Sequence, residues 1–368
     1  MKINFIDLQR QYQHAKLQID LAIQKTIDDA RFIMGPQIRE LEQRLADFVG
    51  CEHAVGCASG TEALLLALMT LGIKSDDEII TTPFTFIASA ETCAFLGGRP
   101  VFADIDLATF NLDPTRIEAA VTPKTKGIIA VDLFGQCADY DAIHAIAERH
   151  GLFVIEDAAQ AFGAEYKDRK ACALAQIACT SFFPAKPLGC YGDGGMLFTS
   201  DPEMAERVRS LINHGKGKHK YEHIRIGLNG RLDNLQAAIL LAKFDLYPRE
   251  IVRRNEKAAY YDRHLTSNVI KPKIAAYNHS VWSQYTIRAE RRDILRDLLA
   301  SREIPTAVHY PKPLHLQPCF RSLGYKAGDF PAAERAAQQV LSIPLHPYLE
   351  TSEQDSIIES INSFYEKG

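Results

Sequence analysis

The chain has 368 residues, 46% of them hydrophobic and 24% charged, with a formal net charge of -4. That length suits a large domain with a smaller one, and such a core needs no metal or disulfide to hold it. The charge balance offers no footprint for nucleic acid, and no apolar run reaches the length of a membrane span, so neither is an expected partner. The opening twenty residues are amphipathic and include Asp7 and Asp20. They lack the apolar centre and cleavage site of a signal peptide, and a cytoplasmic protein is expected. None of the eight cysteines has CxxC spacing. They read as buried reduced thiols, and no metal is expected.

After the amphipathic arm, Gly35-Pro36 starts a helix whose residues Ile38, Leu41, Leu45 and Phe48 follow the helical period. Up to about residue 200, short apolar runs alternate with helical patterns such as "TEALLLALMTLG" and "DYDAIHAIAERHG". The runs "DEIITT" (77–82), "GRPVFADI" (98–105), "KGIIAVDL" (126–133), "GLFVIEDAA" (151–159), "ACTSFF" (178–183) and "GGMLFTS" (194–200) predict buried strands. Apolar strands spaced by helices predict a mainly parallel sheet covered on both faces, without fixing whether one strand runs antiparallel. A long helical region spans 232–265, with Pro248 as a boundary or kink. Beyond 270, the alternating "SVWSQYTIRA" and helices near 291–301, 331–341 and 351–365 predict a smaller α/β domain. The expected division is 1–245 for the arm and large domain and 246–368 for the small one.

Four stretches carry candidate chemistry. In "CASGTEALLLAL" (57–68) a strand end runs through Ser59-Gly60-Thr61 into an apolar helix. Free N–H groups there suit an anion such as phosphate, although Ser59 also suits a plain helix cap. In "PFTFIASAETCAF" (83–95), Phe84 and Phe86 offer a wall for a flat ligand or two core aromatics. Asp157 closes the strand of "FVIEDAAQAFGA" (153–164), at the carboxyl edge where open α/β sheets bind ligands. It suits a protonated ring nitrogen or a helix cap, and Glu156 beside it faces the other way. In "TSFFPAKPLGCYGDGG" (180–195), Lys186 stands between Pro184 and Pro187. The hydroxyls of Thr180 and Ser181 precede it, and Gly189, Gly192, Gly194 and Gly195 allow tight turns close to a ligand. An amine used as a nucleophile needs such framing, because it must sit at one point with its charge suppressed. Together these pieces meet the needs of pyridoxal phosphate: a phosphate cradle, an acid for the pyridinium nitrogen, an aromatic wall and a Schiff-base lysine.

The stretches "FIMGPQIRELE", "ASGTEAL", "TFIASAET", "VIEDAAQAFGA", "SFFPAKPLGCYGDGG" and "GLNGRLDNLQAAIL" resemble the motif run of the DegT/StrS-type nucleotide-sugar aminotransferases. The resemblance covers essentially the whole chain. It implies the type I fold of pyridoxal-phosphate-dependent transferases: α/β, a mainly parallel sheet sandwiched by helices, with a smaller C-terminal α/β domain. It also implies that Lys186 forms the Schiff base and later moves the proton, while Asp157 holds the pyridinium nitrogen. Gln160 is implied at the ring oxygen, and Phe86 is implied to stack on the ring. Gly60, Thr61 and Ser181 would hold the phosphate, with Ser59 shaping the turn. Asn229 matches an asparagine that reaches the phosphate of the neighbouring subunit, which implies a homodimer with shared active sites. Lysine stands at 186 where dehydrating relatives have histidine, so transamination is implied. Glutamate would give its amine to form pyridoxamine phosphate, and a nucleotide-linked keto sugar would take it.

Within that family, "GQCADYDAI", "NGRLDNLQAAILL" and "IPTAVHYPKPLHLQP" closely resemble the enzymes that aminate UDP-2-acetamido-2-deoxy-3-oxo-D-glucuronate for O-antigen lipopolysaccharide. A uronate needs a cation for its carboxylate, and guanidinium fits that geometry. Arg231 is the candidate, or else it forms an interface salt bridge. His309 and Tyr310 would line the sugar or pyrophosphate, and Ile33 and Met34 would border the nucleotide or pack in the core. A 4-keto UDP- or dTDP-sugar is the alternative substrate, and a non-catalytic sensor of cofactor or sugar nucleotide is the alternative function. His214, His219 and His223 lack a matching fourth ligand, so their stretch (213–227) reads as a loop near the substrate phosphates rather than a metal site.

Overall fold

The structure is a computed structural model that describes residues 3–219 and 221–366. Its strands in chain order are β1 (His53–Cys57), β2 (Glu78–Thr81), β3 (Arg99–Phe102), β4 (Thr125–Val131), β5 (Phe153–Asp157), β6 (Glu165–Tyr166), β7 (Arg169–Lys170), β8 (Ile177–Ser181), β9 (Gly195–Thr199), β10 (Asn278–His279), β11 (Tyr285–Arg288) and β12 (Val340–Ile343). The α-helices are α1 (Leu8–Asp29), α2 (Pro36–Val49), α3 (Gly60–Leu71), α4 (Ala88–Phe95), α5 (Pro114–Ile117), α6 (Tyr140–His150), α7 (Pro202–Leu211), α8 (Asn234–Phe244), α9 (Tyr247–His264), α10 (Arg292–Ser301), α11 (Pro331–Gln339) and α12 (Thr351–Glu366).

Seven strands join in the order β1-β9-β8-β5-β4-β2-β3. Six run parallel, and β9 alone is antiparallel to both its neighbours, β1 and β8. One consequence shapes the site. The carboxyl ends of β1, β5 and β8 lie along one edge, and β9 contributes its first residue, Gly195, to that edge between Cys57 and Ser181.

Side chains alternate across the sheet. In β5, Val154 joins the apolar layer under α2, α6 and α8, whereas Ile155 joins the layer under α3, α4 and α7. The same alternation sends Glu156 and Asp157 to opposite faces. Pro248 falls in the first turn of α9, so it marks a boundary between α8 and α9 rather than a kink. Beyond it, β11 and β12 pair with each other over a separate apolar cluster that includes Ile3 from the arm. The later segment returns to the large sheet, where Leu314, Phe320, Phe330 and Ala333 pack with Phe102. The arm crosses both parts: Ala15 and Ile19 of α1 pack on Ile239 of α8, and Arg10 pairs with buried Glu353 of α12 at 2.7 Å.

Glu156 meets a second carboxyl behind the sheet. Its oxygens accept the N–H groups of Cys172 (2.5 Å) and Leu174 (2.9 Å). One oxygen of Asp132 accepts from the Ala138 N–H (2.8 Å) and the Tyr140 hydroxyl (3.0 Å). The other oxygen faces Glu156 with no donor among the described residues, so the two buried acids share a proton. Burial pushes both upward, with repulsion from Glu156 adding to the rise in Asp132, and Glu156 reaches about 7. A carboxyl raised in the folded state stabilises the fold fully below its unfolded pKa, and that stability fades as pH rises through the folded value. Stability should therefore decline from the ordinary glutamate value of about 4.3 towards about 7. Asp132→Asn places a permanent N–H donor against Glu156. Its thermal midpoint should vary less than that of the parent between about pH 4 and 7, as calorimetry at several pH values would show; equal slopes in both proteins would refute the shared proton.

Candidate active site

Asp157 ends β5, buried at the edge of the sheet. The Ser89 hydroxyl, in the first turn of α4, donates to it at 2.8 Å, and the Ala159 N–H donates at 3.2 Å. The Thr85 hydroxyl lies 3.2 Å behind Ser89, so two buried hydroxyls lead up to one carboxylate. Burial pushes Asp157 up, against the opposing pull of Ser89, the Ala159 N–H and the charge of Lys186. Ser89 and Thr85 are absent from the sequence-based candidates, because Thr85 lies in the bend before α4 and only the folding of that loop sets its hydroxyl against Ser89.

Lys186 rides on a loop that folds back on itself. Its N–H donates to the Phe183 carbonyl at 2.8 Å, and the Cys190 N–H donates to the Phe182 carbonyl at 2.8 Å. Gly189 closes the loop, where an added Cβ would lie 2.5 Å from the Pro184 oxygen. The lysine side chain is half-buried by surface, yet enough protein surrounds its amine for desolvation to lower its pKa, with Asp157 pulling the other way. Both groups are thus pushed toward their neutral forms.

The start of α3 meets this loop. Ser59 caps the helix by accepting the Glu62 N–H at 3.1 Å. The N–H groups of Gly60 and Thr61 have no protein acceptor among the described residues, as expected at a helix start. A Cβ on Gly60 would come within 2.7 Å of the Ser181 Cβ, so the helix start and the end of β8 share one small space. Gly195 makes the same fit from the third side, since a Cβ there would stand 2.4 Å from the Ser59 carbonyl and 2.8 Å from the Gly60 nitrogen. Gly189, Gly192, Gly194 and Gly195 all have ordinary φ values, so what the missing Cβ gives at these positions is close approach of neighbouring atoms rather than a left-handed backbone. The expectation for Thr180 is corrected. It is buried, and its hydroxyl donates to the Ala158 carbonyl at 3.1 Å on the face opposite Ser181.

The remaining wall comes from the C-terminal segment. The Gln160 amide accepts the Phe134 N–H at 2.9 Å and donates to the Tyr310 hydroxyl at 3.2 Å. His309 lies close enough to Lys186 for that charge to help burial lower its pKa, and it meets the Ser342 hydroxyl at 3.1 Å. Phe84 is core, whereas Phe86 is 53% exposed with its ring 6.4 Å from that of Tyr310.

Asn229, Arg231, Ile33 and Met34 are not brought to Lys186 within this chain. Asn229 is exposed and bridges to Asn213. Arg231 bridges to Cys57 on the outer edge of β1, two strands from Ser181. It donates to Asn213 at 2.8 Å, and its buried Nε has no acceptor among the described residues. Ile33 and Met34 are 56% and 49% exposed, which overturns the core alternative, and they line a cavity of about 420 Å³ with Arg31 and Arg39. The Ile33–Asp233 bridge ties that cavity to the Arg231 segment. All eight cysteines are free, and Cys319 is exposed. Among the described residues there is no metal-binding cluster and no helix long and apolar enough to cross a membrane.

A buried strand-end aspartate, a framed lysine and an open helix start converge here, and the family profile agrees with that set. The profile of the DegT/DnrJ/EryC1/StrS aminotransferase family matches residues 14–362. The chain belongs to that family. It is 50% identical over 351 residues to the UDP-2-acetamido-2-deoxy-3-oxo-D-glucuronate aminotransferase of Pseudomonas aeruginosa, covering 95% of this chain and 97% of that protein. The solved structure of S. venezuelae DesV in complex with a ketimine intermediate superposes with a TM-score of 0.97 at 40% identity, covering 99% of each chain. NtdA from Bacillus subtilis, solved with bound cofactor PMP, gives 0.90 at 30% identity over 98% of this chain and 84% of that one.

Ser89→Ala should raise the Asp157 pKa further, by about one to two units for the loss of a hydrogen bond to a charged acceptor. Carbon-13 NMR of labelled aspartate would follow it, and an unmoved Asp157 titration would remove Ser89 from this role.

Proposed function

We propose that this enzyme is a pyridoxal-phosphate-dependent aminotransferase that moves an amine from glutamate to the 3-keto group of UDP-2-acetamido-2-deoxy-3-oxo-D-glucuronate. It acts in this reading as a homodimer with shared sites, in the route to O-antigen lipopolysaccharide. The observation that carries the chemistry is the meeting of Lys186, its charge suppressed, with Asp157 and the open start of α3. The residues present fit the cofactor. The unpaired N–H groups of Gly60 and Thr61, beside the Ser181 hydroxyl, suit a phosphate. Asp157 has spare acceptor capacity and no cation in contact among the described residues, which a protonated ring nitrogen would supply. Phe86 offers an open aromatic face, and the second N–H of Gln160 remains for a ring oxygen.

When bound, pyridoxal phosphate supplies an electron sink next to the carbon that gains or loses the amine. The protein's own groups do the rest. Lys186, with its lowered pKa, takes the proton from the substrate carbon and returns it. Asp157, kept in place by Ser89, keeps the ring nitrogen protonated. His309 and Tyr310 bound the space where the sugar enters.

Exposure of Asn229, Ile33 and Met34, and the unpaired Nε of Arg231, support a site completed across a subunit interface. There Asn229 serves the neighbour's phosphate and Arg231 the uronate carboxylate. The relative at 50% identity supports the 3-keto uronate as substrate.

The test is to bleach the holoenzyme's visible band with glutamate and then offer a panel of UDP- and dTDP-linked keto sugars. The 3-keto uronate should restore the band fastest, and preference for a 4-keto sugar would overturn the substrate. Lys186→Ala should abolish turnover, and normal turnover would sink the mechanism. Arg231→Ala should lose at least about tenfold with the uronate, the 1.5–3 kcal/mol of a hydrogen bond to a charged group. The glutamate half-reaction should keep its rate, and equal losses in both would count against this role for Arg231.

A further inference from the structure

Lys243 is a buried cation that none of the steps above uses. It lies in the last turn of α8 with 2% of its surface exposed. No carboxylate forms an ion pair with it among the described residues. Its amine donates to the Gly189 carbonyl and stands 5.1 Å from the centre of the Tyr191 ring. A buried cation without a paired anion is expensive, and an apolar residue would pack there at less cost.

The acceptor explains why the cation is kept. Gly189 is three residues beyond Lys186 and closes its loop against the Pro184 and Phe183 carbonyls. Gln236 lies seven residues before Lys243, on the same face of α8. Its Oε1 accepts the Tyr191 N–H at 2.9 Å, and Gly192 packs against its amide with the space of a missing Cβ at 3.0 Å. One rigid helix therefore grips the outgoing limb of the lysine loop at two points. Around Lys243, Glu250 and Cys190 favour its charge, while Arg254 on α9 and burial oppose it, and its pKa falls to about 8.

We propose that Lys243 is a positioning residue, which sets the height of Lys186 above the sheet edge by holding the Gly189 carbonyl. This inference rests on the reading of Lys186 as the proton-moving amine. Lys243→Met removes the donor at similar length, and Lys243→Gln retains a neutral donor. In the Met holoenzyme, kcat should fall by about tenfold or more, because a misplaced group loses its near-attack geometry, with both KM values within about twofold. The Gln variant should fall between, by about threefold.

In cofactor-free protein, trinitrobenzenesulfonate labelling of Lys186, mapped by peptide mass, gives its titration midpoint. That midpoint should move up towards the ordinary lysine value in Lys243→Met, because a loosened loop lets the amine reach water. This readout needs no reaction, so failure of the proposed activity and failure of this inference read differently. An unmoved midpoint with kcat within twofold overturns the proposal. So does a loss of kcat shared equally by Met and Gln that tracks a lower thermal midpoint while the labelling midpoint stays put. If Lys243→Met does not fold, Lys243→Gln decides alone: a threefold loss in kcat at constant KM supports the role, and an unchanged kcat overturns it.

Discussion

The close approach of Gly195 to Ser59 and Gly60 is the constraint on which the site depends. A single added methyl at 195 would have to share space with a carbonyl and a helix N–H. Only without it can β9 lie between β1 and β8 with its first residue at the carboxyl edge. That insertion brings the start of α3 against Ser181 and leaves two helix N–H groups open beside the lysine loop. Asp157 reaches the same edge from β5, one strand beyond β8.

Burial does the electrostatic work in this frame. It lowers the amine of Lys186 and raises the carboxyl of Asp157, and each group's charge partly restores the other's. The balance is adjusted by neighbours of two kinds. Ser89 and the Ala159 N–H favour the ionised carboxylate, whereas nothing comparable among the described residues donates to or accepts from the lysine amine. Behind the sheet, Glu156 and Asp132 solve a similar problem by sharing a proton. The two solutions stand back to back on adjacent residues of one strand, and the Asp132 N–H donating to the Asp157 carbonyl at 3.0 Å links them.

Much of this was legible in the sequence, for definite reasons. Apolar runs separated by helical periods predict the parallel strands, and β2 to β5, β8 and β9 fall where those runs lie. Asp157 and Lys186 stand out because a strand end and a pair of prolines are local features. The direction of β9 was not legible, since an apolar run reads the same both ways. Nor was the reason for the glycines, because the atoms that exclude a Cβ at 195 come from residues more than a hundred positions away. Thr180 was misread although strand alternation already sets it opposite Ser181. Arg231 could not be placed at all, since its edge position depends on how the chain closes beside β1.

The free cysteines acquire a meaning beside this amine. Cys57 ends β1, Cys179 lies in β8 and Cys190 belongs to the lysine loop itself; all three are buried, the first two in the apolar layer under α3 and the third in the layer on the other face of the sheet. Burial raises the pKa of all three, which keeps them protonated and poorly nucleophilic. The amine is shifted the opposite way. One physical cause thus acts in opposite senses on the two kinds of nucleophile: desolvation moves the Lys186 nitrogen towards its reactive neutral form and holds these sulfurs in their unreactive protonated one.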